Sequence, residues 1–248
     1  MRRVLLCGAV VLSMGVLGGC GHAEPAVRNV DPQVMSDVVD ATFMVPGPGV
    51  RRGMRVREFS RGVAIRECGG DPLPVDSTQN RHDQSHFPDL NLIRERGFAE
   101  PRATESEDRV LDTLDPSCPD LAPDWRSQGD WLALGETWND VVMAVDQDPR
   151  MDSLRQPVAE CLIGSTGRDV DPVDPINSFL RGVDVDTLAK RTSSSQIEQW
   201  ADAYADCADE YFREFGRLLL EVRPALVEKH REVIEAYAAE LVGAGYVP

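Results

Sequence analysis

The chain has 248 residues, 42 of them acidic against 26 basic, for a formal charge of −16 and a pI near 4.6. A surface of that sign is expected to repel nucleic acid and anionic lipid headgroups alike, which argues against a nucleic-acid partner while tolerating a basic partner or divalent cations, and it is read as a solvated acidic exterior. The length allows one large domain or two small ones, with room for an ordinary hydrophobic core.

Met1-Arg2-Arg3 is positively charged, and Val4–Leu17 is an apolar run broken only by Ser13 and glycines. A run of that length is too short to span a bilayer as a helix, which needs about 20 apolar residues. It fits the h-region of an export signal. Val16-Leu17-Gly18-Gly19-Cys20 closes it with small residues before a cysteine. The segment resembles a bacterial lipoprotein signal peptide with its lipobox. That resemblance implies cleavage after Gly19, diacylglycerol and palmitate on Cys20, and attachment to the extracytoplasmic face of the cell membrane. Removing 19 residues from 248 leaves 229, and losing Arg2 and Arg3 takes the charge near −18. Lys190 and Lys229 are the only lysines, a bias typical of GC-rich genomes.

With Cys7 cleaved off and Cys20 acylated, Cys68, Cys118, Cys161 and Cys207 remain. Four cysteines in an exported chain predict two disulfides, and three pairings are open. No C-x-x-C occurs, which argues against a zinc knuckle or a thioredoxin-type redox pair.

Along the chain, Gly21–Val30 is a polar tether. Asp31–Met44 predicts a helix with Asp31 as N-cap and Pro32 at N1, ended by Pro46-Gly47-Pro48-Gly49. A second helix is expected from about Met54 to Cys68, closed by Gly69-Gly70. Residues 71–87 are a polar loop. Asp89–Arg96 is a short helix stopped at Gly97-Phe98, and residues 99–123 form an acidic, proline-rich loop holding Cys118. Trp131–Val145 repeats apolar residues at spacings of three and four. Met151–Ile163 is a further helix closed by Gly164, and the prolines of 167–175 forbid a regular one. In the last segment Ser193-Ser194-Ser195 offers N-cap hydroxyls, and Ser195 with Glu198 reads as a capping box. Ile197, Ala201, Tyr204, Ala208, Tyr211, Phe215, Leu218 and Val222 then form a heptad-like seam. It changes phase at Pro224 and resumes through His230 to Leu241, which predicts a kinked long helix or two helices meeting at the proline.

The expected fold is mainly α: an irregular helical bundle of six or seven helices with a long C-terminal helix and two disulfides. The expected domains are a signal peptide over 1–19, a lipidated N-terminus and tether with a short helix over 20–50, and a helical extracytoplasmic domain over 51–248.

Glu67-Cys68-Gly69-Gly70, Phe87-Pro88-Asp89-Leu90, Arg96-Gly97-Phe98, Ala159-Glu160-Cys161-Leu162 and Ala205-Asp206-Cys207 resemble fragments of an uncharacterised group of actinobacterial secreted proteins and lipoproteins. The likeness covers roughly residues 55–240. It implies a helical, disulfide-bonded exterior domain with the pairs Cys68–Cys118 and Cys161–Cys207, and it carries over no activity.

Reactive constellations are sparse. His82 and His86 are four apart, but in a loop-like stretch lacking the glutamate of H-E-x-x-H, so they read as a solvated loop. Asp169, Asp171 and Asp174 lack the glycine and glutamate of an EF-hand and read as a structural loop. Gly164-Ser165-Thr166-Gly167 is not G-x-S-x-G and reads as a helix-ending turn. His230 falls on the apolar stripe and reads as a core histidine. Trp125, Trp131, Trp138 and Trp200 read as core rather than a stacking surface. Chance pairs among so many acids are no glycosidase signal, and no phosphate-cradling loop is present.

These features predict a membrane-anchored, non-enzymatic binding or envelope accessory module without a cofactor, held by its lipid, with an envelope protein as a candidate partner. The alternative is an envelope hydrolase or metal-dependent enzyme assembled from distant residues. Ligand capture for a transporter is a third reading, disfavoured by the lack of alternating strands and helices.

Overall fold

Three helices of this protein begin with the same dipeptide. In Asp31-Pro32, Asp148-Pro149 and Asp174-Pro175 the proline occupies the first helical turn, where its missing N–H costs nothing. The aspartate side chain accepts from an orphan N–H: Gln33 at 2.7 Å, Arg150 at 2.9 Å and Asn177 at 3.4 Å. The computed structural model describes residues 30–70, 85–98 and 128–248.

Among the described residues there are nine helices and no strand. They are α1 (Pro32–Thr42), α2 (Gly49–Glu67), α3 (Leu90–Arg96), α4 (Gln128–Asp146), α5 (Pro149–Thr166), α6 (Pro175–Leu188), α7 (Ser194–Cys207), α8 (Asp209–Lys229) and α9 (Arg231–Gly243). The mainly α class is shown, with more helices than the six or seven expected. None is long and apolar enough to cross a membrane.

α1 lies along α2 and also touches α9 and α4. On the other side α5 packs on α7, α6 and α8, and α3 rests on α7. α8 touches α4, α5, α7 and α9, so both halves share it. One main core runs through all of this, from Val34 and Val38 of α1 to Tyr237 and Leu241 of α9. Met44, Val50 and Met54 form a small satellite cluster. Val34, Val38 and Ala41 of α1 belong to that main core, so α1 packs with the helices that follow it.

Four local expectations change. α2 starts at Gly49, directly after Pro48, about five residues earlier than the apolar pattern suggested. α5 continues past Gly164 to Thr166, and Gly167 closes it in the left-handed region, where a residue without Cβ meets no steric penalty. The cap of α7 is Ser193, whose hydroxyl accepts from Gln196 N at 3.3 Å, two residues before the Ser195 of the expected capping box. α6, for which no element was expected, buries Ile176, Phe179, Leu180 and Val183 at helical spacing.

The expected long C-terminal helix is three helices, interrupted at Ala208 and His230. At Ala208 the carbonyl of Ala205 accepts from Arg94 Nη2 of α3 at 3.0 Å, an outside donor at the point where the ladder breaks. Pro224 does not end α8, which continues to Lys229. The break falls at His230 and redirects the chain so that α9 packs on α1 and α4.

Cys161 of α5 is bonded to Cys207 of α7, with Cα atoms 5.6 Å apart. This is one of the two pairs the resemblance implies. Among the described residues it is the one complete bridge where two were expected. Cys68 is also disulfide-bonded, and its partner lies outside the described residues, as does Cys118.

Candidate functional site

The densest arrangement of charge lies where α1 meets α2. α2 carries six arginines against two glutamates. α1 sets Asp37 and Asp40 three residues apart, beside the apolar Val34, Val38 and Ala41 that hold it in the core. The two helices run in opposite directions, so Asp40 meets Arg52 at 2.7 Å and Asp37 meets Arg55 at 3.5 Å. Arg52 also reaches Asp37 at 3.8 Å, and Arg223 of α8 pairs with the other carboxylate oxygen of Asp40. Arg51 binds Asp89, the N-cap of α3, at 2.6 Å. Arg57 donates to the Ala41 carbonyl, closing the end of α1.

The pairs of α2 share one polarity. The carboxylates of Asp37, Asp40 and Asp89 are 0%, 7% and 2% exposed, while the guanidinium side chains of Arg51, Arg52 and Arg55 are 42%, 38% and 48% exposed. A carboxylate is tolerated at such depth because it is paired and hydrogen-bonded. Asp37 shows how completely: it also accepts from Gln33 Nε2 at 2.9 Å and from the Tyr246 hydroxyl at 2.8 Å. Burial, together with the neighbouring Asp37 carboxylate, pushes the Tyr246 hydroxyl up to about 12. In these pairs the outward groups are therefore N–H donors, and the chemistry they offer is hydrogen bonding to oxyanions.

The residues singled out from sequence are dispersed. Cys20, Cys118, His82 and Trp125 lie outside the described residues. His86 Nδ1 is 2.7 Å from the Ser85 hydroxyl. Asp171 accepts from Val173 N at 2.9 Å, and Asp174 caps α6. Ser165 and Thr166 end α5, Thr166 donating back to the Leu162 carbonyl and Ser165 lying 3.8 Å from Cys207 Sγ. His230 is half-buried at the junction of α8 and α9, with Nε2 lacking a hydrogen-bond partner. The described tryptophans are core residues. Trp131 stacks on Tyr237 at 4.4 Å and donates to Thr42, and Trp138 donates to the Met44 carbonyl. Trp200 lies under the Arg168 guanidinium at 4.3 Å. Among the described residues no group of three or more His, Cys, Asp or Glu side chains is placed to hold a metal ion.

Sequence reasoning missed Asp37, Asp40 and the α2 arginines. Two acids three apart inside an apolar helix (DVVD) and an arginine-rich second helix (RRGMRVR) were the available signal. Comparison of the chain with protein-family models, curated proteins and solved structures finds no match.

Proposed function

We propose that the protein is a membrane-anchored extracytoplasmic lipoprotein whose helical body works by binding, as an envelope accessory module, and not by catalysis. The observation that carries this reading is the cysteine chemistry. Cys20 closes an export signal, while Cys161 and Cys207 are joined in a bridge of the kind that persists in oxidising compartments. Two acyl chains on Cys20 suffice for stable attachment where a single chain is marginal. The second bridge in this reading is Cys68–Cys118.

Metabolic labelling with a lipid precursor tests the anchor: the wild-type chain takes up label, and a Cys20→Ala variant that still labels removes the proposal. Non-reducing peptide mapping tests the bridge, and Cys68 found joined to anything but Cys118 refutes that pairing. The binding role is tested with a panel of peptides, esters, glycans and phosphate esters. Hydrolysis that falls on point mutation would replace it with an enzymatic one.

A further inference from the structure

The geometry points to the arginine face of α2 as the surface that docks on anionic phospholipid headgroups of the bilayer holding the Cys20 lipid, fixing the orientation of the body. This rests on the lipoprotein reading above.

Three observations support it. First, at about 100° per residue, Arg51, Arg52, Arg55 and Arg66 fall within roughly a 100° arc of α2. Four of the six arginines of α2 lie on this arc, in an otherwise strongly acidic protein. Secondly, the carboxylates paired with Arg51, Arg52 and Arg55, those of Asp89, Asp40 and Asp37, are buried beneath that face, with the half-buried Glu58 at its edge, so the most exposed charges of the arc are guanidinium groups. Arg66 is exposed and makes no ion pair among the described residues. Guanidinium matches the phosphodiester oxyanion in bidentate geometry. Thirdly, the chain between Cys20 and the first core helix is short. Ten residues, Gly21–Val30, extend at most about 35 Å, and they lead into α1, the direct neighbour of α2. A tether of that reach lets this face come to the bilayer surface, where an anionic headgroup attracts basic side chains within a Debye length of about 10 Å. The acidic remainder of the surface is repelled, which leaves one favoured orientation.

The test is arginine footprinting of the native protein with phenylglyoxal, read by mass spectrometry, on vesicles of phosphatidylcholine alone or with roughly one-third phosphatidylglycerol. On the anionic vesicles at low salt, modification of Arg55 and Arg66 should slow at least about five-fold, and it should recover near 0.5 M salt. Arg181 of α6 and Arg213 of α8, both exposed, serve as internal references and should not change. Equal rates on both vesicle types, or equal slowing at Arg181 and Arg213, overturn the proposal. Flotation before footprinting separates the two readings. Failure to float with phosphatidylcholine refutes the anchor. In that case flotation with the anionic vesicles alone still supports the arginine face, and its absence there overturns the face as well.

Discussion

Gly53 of α2 sits so close to α1 that a Cβ on it would come within 2.5 Å of the Asp40 carbonyl oxygen and 2.7 Å of its carbon. The atoms in the way are backbone, so the helices would have to separate, and with them the Asp40–Arg52 and Asp40–Arg223 pairs. Gly53→Ala should therefore lower stability by about 1–3 kcal/mol, the usual range for overpacking. Gly135→Ala in α4, where nothing lies within 4 Å, should instead raise it by about 0.5–1 kcal/mol through helix propensity. Urea denaturation midpoints of the two variants should move in opposite directions.

A second close approach is built differently. A Cβ on Gly182 of α6 would meet Arg168 Nη2 at 2.5 Å, the movable end of a side chain. That guanidinium lies over Trp200 and pairs with Asp186 at 2.6 Å. Gly182→Ala should displace it at a cost of about 1 kcal/mol, shifting the Trp200 emission. Arg168→Gln should give the same spectral shift, and unchanged emission in both variants would contradict the stacking.

All four tyrosines are buried. Burial pushes the hydroxyls of Tyr237 and Tyr246 from the ordinary 10 up to about 12, and raises those of Tyr204 and Tyr211 as well. The folded state thus keeps protons that the unfolded state has released above pH 10. That contribution to stability is complete below 10 and is lost as the pH climbs toward 12. Absorbance titration should show little tyrosinate at pH 10, then ionisation together with loss of helical circular dichroism. Half-ionisation at pH 10 with the helices intact would refute the burial.

The Cys161–Cys207 bridge closes a separation of 46 residues. In the chain-entropy view a loop of that size is worth about 4 kcal/mol. The double substitution Cys161→Ser/Cys207→Ser should lower the thermal midpoint markedly while leaving the helices formed at low temperature. A midpoint indistinguishable from wild type would show that the packing of α5 on α7 needs no bridge.

The helices that the sequence revealed best are those whose signals are local. Asp31-Pro32 marks the start of α1, and Asp89 with Gly97 brackets α3, because caps act on the first and last turn of the same helix. The Trp131-Leu134-Trp138-Val142 spacing gave the buried side of α4. α6 was legible too, from Asp174-Pro175 and its apolar repeat, but the prolines just before it drew attention to the loop. The breaks at Ala208 and His230 were not legible. The first coincides with a donor from α3, over a hundred residues away, and the second follows from where α9 must pack.

By itself the sequence determined the helical class, the starts of α1 and α3 and the acidic balance, since each depends on neighbouring residues or on composition. Only the tertiary structure decided that Asp37 would be sealed under Arg52 and Arg55 and bonded to Tyr246, 209 residues away, leaving guanidinium groups outermost. The cause is physical. A charged side chain is committed to the interior only when partners from other helices arrive together to replace its water, and no local pattern encodes that arrival.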